Sequence, residues 1–261
     1  MRLTRSTSLA AGLILAIAGS AAAHYTFILP EKFRVAQGAA MNIGFHASDS
    51  FPESTQLPRR LANAQLHTES GAVELPAFRV DGLRQVATIN PPNGYSIVTA
   101  INPARTADMK ADEFTDYLKE ESLTQVIEAR AKAGETEKVG REKFSMYLKS
   151  IILAGEPNDG YKRVVGLPME IVPEKDPAQI KSGGSLPVRV LFKGAPAKDL
   201  QIFAASTGKP AKNIGKTDKN GKISVPVSSG PWRLHTILME RVTLPDADWE
   251  SFWTTLTFEI P

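Results

Sequence analysis

The sequence predicts a mainly β protein built from two β-sandwich modules, immunoglobulin-like or transthyretin-like, with a short helical insertion in the first. Three observations carry that prediction. Segments rich in strand formers alternate with turn signals over most of the chain. One stretch, residues 106–154, changes to helical spacing. A stretch rich in proline and glycine then separates a second set of strand segments from the first. The expected organisation is a signal peptide over 1–23, an N-terminal sandwich over 24–172 and a C-terminal sandwich over 173–261.

Residues 1–23 carry Arg2 and Arg5 and no acid, then a mostly apolar run from Leu9 to Ala18, then Ala21-Ala22-Ala23. That is the layout of a secretory signal peptide, with a basic start, an apolar middle and a small-residue cleavage site. Removing those 23 residues from the 261 leaves 238, and removing the two arginines takes the formal charge from +3 to +1. The expected product is periplasmic or secreted.

From His24 to about Thr99 the pattern is β. Met41-Asn42-Ile43-Gly44-Phe45 alternates after the Gln37-Gly38 turn, and Tyr95 to Thr99 follows the turn Pro91-Pro92-Asn93-Gly94. The period then lengthens. Phe114, Tyr117 and Leu118 share a helical face, and Ser122 with Gln125 fits a capping box. Phe144, Tyr147, Leu148, Ile151 and Ile152 recur at helical spacing, with Gly155 as a C-cap and Pro157 as a stop. Two or three short helices are therefore expected over 106–154. After Gly160 the pattern is β again: Leu167 to Pro173 leads into the boundary stretch with Asp176-Pro177 and Ser182-Gly183-Gly184, and the strand candidates beyond it are Leu186 to Phe192, Leu200 to Ala204, Lys222 to Val227 and Trp232 to Leu238. Their turns include Lys193-Gly194 and Asp218-Lys219-Asn220-Gly221.

Composition excludes several classes. A charge near zero gives no reason to expect nucleic acid as a partner. After residue 23 no apolar run reaches the roughly 18 to 20 residues of a membrane span, so the chain is not expected to be membrane-embedded. The absence of cysteine excludes disulfides, thiolate metal sites and a cysteine nucleophile. No nucleophile elbow, phosphate loop, His-Glu-x-x-His or complete calcium loop is present.

The four histidines carry the chemistry: His24, His46, His67 and His235. Cleavage after Ala23 would make His24 the N-terminal residue. Its α-amine, with a reference pKa of about 8, and its ring could then chelate one metal ion. A further imidazole would complete a histidine brace of three nitrogens, a donor set that suits copper and nickel, with zinc and cobalt as alternatives. His46 lies at a predicted strand end, His235 inside an apolar strand, and His67 in a polar stretch that reads as solvated. Met239 reads as packing. Asp246, Asp248 and Glu250 beside Trp249 and Trp253 read as a solvated acidic loop.

Several segments together resemble a known family. They are His24-Tyr25-Thr26-Phe27 with Pro30, Phe33 to Gly38, Phe45-His46 with Phe51-Pro52, Tyr117 to Glu121, Arg130 and Gly140 to Ser145. Val165 to Pro173, Thr217 to Lys222 and Asp248 to Glu259 extend the pattern to nearly the whole mature chain. The family is a periplasmic domain family of largely unknown function, described as the periplasmic component of nickel and cobalt uptake systems and similar to the NikK and NikM accessory proteins. The resemblance implies a metal-binding protein, not an enzyme, with His24 first, His46 second and His235 third as ligands. Nickel or cobalt is the implied ion, copper or zinc the alternative, and a membrane metal transporter the implied partner. A second expectation is a copper histidine-brace enzyme. A third is an adhesion or scaffolding module whose histidines are incidental.

Overall fold

A computed structural model describes residues 25–261. The signal segment and His24 lie outside the described residues. The first half of the chain forms β1 (Thr26–Pro30), β2 (Arg34–Val35), β3 (Met41–Ala47), β4 (Ala62–Thr68), β5 (Gly71–Glu74), β6 (Arg79–Asp81), β7 (Arg84–Ile89) and β8 (Gly94–Met109). Two helices follow, α1 (Ala111–Glu120) and α2 (Thr124–Lys132), and then β9 (Gly140–Ala154). The rest is β10 (Met169–Pro173), β11 (Ser185–Phe192), β12 (Ala195–Pro196), β13 (Gln201–Ser206), β14 (Lys212–Lys216), β15 (Lys222–Pro226), β16 (Gly230–Arg241) and β17 (Trp249–Ile260). The mainly β, sandwich-like class expected from the sequence is what the chain adopts.

The organising element is a nine-stranded sheet with the path β14-β13-β16-β17-β9-β8-β4-β5, to which β2 adds beside β9. The chain's last strand, β17, runs antiparallel to β16 and parallel to β9, with Trp249 opposite Glu142 and Thr257 opposite Ser150. Segments on both sides of residue 173 therefore share this sheet. A four-stranded sheet, β1-β3-β7-β6, covers one face, and a second small sheet of β10, β11, β12 and β15 covers the other.

Two apolar cores result, one on each face of the large sheet. Ile28, Ile43 and Phe45 from the first small sheet meet Met146, Leu148, Ile237 and Trp253, and the helices add Phe114 and Leu118. On the other face Ile171, Val188 and Val190 meet Tyr147, Ile151, Leu256 and Phe258. Each large apolar side chain so buried contributes about 1.5–3 kcal/mol of transfer free energy.

This layering explains where the structure departs from the expected insertion. The run Phe144 to Ile152 is strand, not helix. Phe144, Met146, Leu148 and Ile152 enter one core, while Tyr147, Ile151 and Leu153 enter the other. A strand buried on both faces loses its polar alternation, and its apolar positions then match a helical template as well as an extended one. The expected capping box also fails. Ser122 takes a positive φ of 56° in the turn between the helices, and Leu123 is the N-cap of α2.

Candidate metal site at the start of the first strand

The backbone of β1 is fastened across the large sheet by β17. Thr255 Oγ1 donates to the Thr26 carbonyl at 3.2 Å, and Thr257 Oγ1 donates to the Ile28 carbonyl at 2.6 Å. These threonines are natural strand residues whose hydroxyls can reach a neighbouring carbonyl. Their anchoring lays Tyr25 and Phe27 over β16, where Arg233 and His235 stand two residues apart and so point to one face. The Arg233 guanidinium carbon lies 4.7 Å from the Tyr25 ring centre and 5.0 Å from that of Phe27. Its two terminal nitrogens donate to the carbonyls of Ser48 and Asp49 at 3.1 and 3.2 Å.

His235 is buried in an aromatic slot. The Tyr25 ring is tilted against it at 4.2 Å, and Phe203, its direct partner on β13, stacks on it at 4.9 Å. Neither ring nitrogen has a hydrogen-bond partner. Burial, then the Arg233 charge, holds its pKa well below the ordinary range, so the imidazole is neutral. A neutral imidazole with a free lone pair is a metal donor.

Glu121 faces it. The Tyr25 hydroxyl donates to Glu121 Oε1, while Glu121 Oε2 is buried without a partner and lies 4.0 Å from His235 Nε2. That separation is too long for a hydrogen bond. It is about twice a typical metal–nitrogen or metal–oxygen bond of roughly 2.0–2.2 Å. Burial pushes the Glu121 carboxyl up to about 7, opposed by the hydrogen bond from Tyr25. The two groups share a cavity of about 300 Å³ with Tyr25, Asp49, Tyr117, Phe203 and Trp253. Behind it a second buried carboxylate, Glu142, accepts from Tyr117 at 3.1 Å and from Ser251. A larger open groove of about 520 Å³ lies along β2 and β3. Its Asn42 is occupied by hydrogen bonds with Glu31 and Thr88.

The residues expected from the sequence fall in different places. His235 is in the cavity. His24 lies outside the described residues, one peptide bond from Tyr25, whose ring lines the cavity. His46 is buried elsewhere, paired with Phe27 on β1 and stacked on its ring at 5.3 Å. Both its ring nitrogens also lack partners, and burial with the Arg84 charge lowers its pKa to about 4. The ring folds over Gly44, where a Cβ would come within 2.5 Å of Nε2, so the Gly-x-His spacing makes room for the imidazole. His46 contacts Phe27, His235 contacts Tyr25 and Phe203, and Arg233 lies against both Phe27 and Tyr25. Among the described residues no group of three or more His, Asp or Glu side chains could hold a metal ion.

Other readings are adjusted by contacts. His67 is half-buried and shares a 2.9 Å hydrogen bond with Thr99, so it is not simply solvated. Asp248 and Glu250 pair with Arg141 and Lys143, and Met239 packs in a core. Glu121 was not singled out as a ligand from sequence. The signal was there, because Glu121 continues the face of Phe114, Tyr117 and Leu118 at helical spacing, and a carboxylate on an otherwise buried face needs a partner.

Among the described residues no helix is long and apolar enough to cross a membrane. No curated protein matches the chain. Solved structures it is similar to include the Escherichia coli adhesin FdeC, at 15% identity and a TM-score of 0.23 over 91% of this chain. Another is the Yersinia pseudotuberculosis adhesin InvE, at 12% identity and a TM-score of 0.21 over 89% of this chain. The matches span 63% and 58% of those two chains, about three fifths of their length. A family model matches residues 21–240, most of the described strands and both helices, and on that match the chain belongs to the family described as a domain of unknown function, DUF4198.

Proposed function

We propose that this protein binds a divalent transition metal ion, with His235 and Glu121 as its side-chain ligands and the His24 amine and imidazole completing the set. The observation that supports it most is the pair of unpartnered buried donors, His235 Nε2 and Glu121 Oε2, 4.0 Å apart beside the residue that follows His24. A buried polar atom without a partner costs about 1–3 kcal/mol, and a bound cation would remove that cost for both. Nitrogen and carboxylate donors suit nickel, cobalt, copper and zinc, and the resemblance of the sequence favours nickel or cobalt. Function would be reversible capture in the periplasm and transfer to a membrane transporter. His46 is a buried neighbour of β1 in this reading, positioning that strand without ligating.

The test is metal titration by calorimetry on protein beginning at His24, with nickel, cobalt, copper and zinc in turn. Glu121→Gln, His235→Gln and a chain carrying one extra residue before His24 should each weaken binding at least tenfold, about 1.4 kcal/mol or more. His46→Leu should leave the affinity within a factor of about two. Equal affinity in all five proteins sinks the proposal.

A further inference from the structure

A second feature stands apart from the histidines. Arg59 and Arg60 in the β3–β4 connection, Ala104 to Thr106 on β8, Lys143 on β9 and Asp246 line an open cleft of about 470 Å³. Four cations face one acid there. Lys143 is already paired with Glu250 at 3.0 Å. Among the described residues Arg59, Arg60 and Arg105 have no ion-pair partner.

The backbone presents this cluster in a specific way. The β8–β9 register slips between Asn102 and Arg105, so one extra residue bulges out and re-aims the next side chain. Arg105 is then held from below by Phe144, whose ring centre lies 4.8 Å from the guanidinium carbon. Its Nε is buried and lacks a hydrogen-bond partner. Arg60 has a left-handed φ of 59°, a conformation that costs a non-glycine residue of order 1 kcal/mol. Burial first, then the like charges of Arg60 and Arg59, lowers the Arg105 pKa. The cleft therefore gathers three guanidinium groups whose charges repel, one of them with an unsatisfied buried donor.

We propose that this cleft binds a phosphate-type oxyanion, held by the forks of Arg59, Arg60 and Arg105. Guanidinium groups match such oxygens two at a time, which lysines cannot do. The cleft suits one phosphate group and its substituent, and the near-neutral charge of the whole chain argues against a polyanion. That group could be free phosphate or the headgroup of an anionic lipid. The inference does not rest on the metal reading.

Two arms test it on protein beginning at His24. Inorganic phosphate is titrated by calorimetry against chloride at equal ionic strength. Vesicles of phosphatidylglycerol with phosphatidylcholine are compared with pure phosphatidylcholine by flotation. Saturable phosphate binding is expected, at least tenfold weaker in the exposed double variant Arg59→Gln/Arg60→Gln and weakened in Arg105→Lys, which keeps the charge and loses the fork. Binding to anionic vesicles alone, lost in the same variants, supports the site with lipid as the source. Binding in neither arm, or equal binding by the variants, overturns the proposal.

Discussion

At the scale of single residues, burial sets the charge state of the histidines. His46 has no acceptor for a ring proton, and burial with the Arg84 charge lowers its pKa from 6.5 to about 4. The unfolded chain therefore takes up a proton near pH 6.5 that the folded chain refuses until about pH 4. Stability contributed by this group is complete above pH 6.5 and falls as pH drops through that window. At the low end the loss is roughly 3 kcal/mol at most. Denaturant unfolding of wild type and His46→Leu between pH 7 and 4 should show a shallower pH slope in the variant. Parallel slopes would refute the assignment. The location of His46 was half-legible, because Gly44 and His46 share a strand face in the sequence. That the two fold onto each other depends on the rotamer that packing against Phe27 imposes.

At the scale of elements, β9 shows what a doubly covered strand demands. Lys149 points into the second core and is fully buried, its Nζ 2.5 Å from Glu170 Oε1 and 3.0 Å from the Arg163 carbonyl. Glu170 also accepts from the amides of Val165 and Gly166, so the pair pins the loop before β10 to the middle of β9. Lys149→Met leaves that carboxylate buried without its cation and should cost about 3–5 kcal/mol. Adding Glu170→Leu should recover part of the loss, because two well-packed apolar groups replace two charges, though the loop amides lose their acceptor. Thermal unfolding of the two single variants and the double variant checks this, and additive losses would contradict it. The sequence offered Lys149 only as a polar break in an apolar run, which a helix tolerates on its outer face. Glu121, by contrast, is legible as a continuation of the Phe114–Leu118 face, and only the fold supplies the His235 it meets.

At the scale of the molecule, strand order ties the two halves together. β17 supplies Trp253 to one core and Leu256 and Phe258 to the other, and it occupies the position between β16 and β9. A fragment of residues 24–172 would leave β9 with an unpaired edge and the first core without Trp249 and Trp253. Such an edge is open to association with other chains. We expect that fragment to aggregate, or to lack the near-ultraviolet circular dichroism of a packed core. The intact chain should unfold in one cooperative transition. A soluble, well-packed fragment would show that the sheet divides more easily than its order implies.

What the sequence determined by itself is local. Strand-forming segments and turns set the β class, the Phe114–Leu118 face set a helix, and the count of four histidines without cysteine narrowed any metal site mainly to nitrogen and oxygen donors. These follow from propensity, period and composition, which act over a few residues. Only the tertiary structure decided that Phe144 to Ile152 extends, that His235 meets Glu121 across 114 residues, that His46 stacks on Phe27, and that three arginines gather unpaired at one cleft. Each of those outcomes depends on which strands become neighbours, and pairing between distant strands is set by the burial of two cores at once rather than by any short stretch of chain.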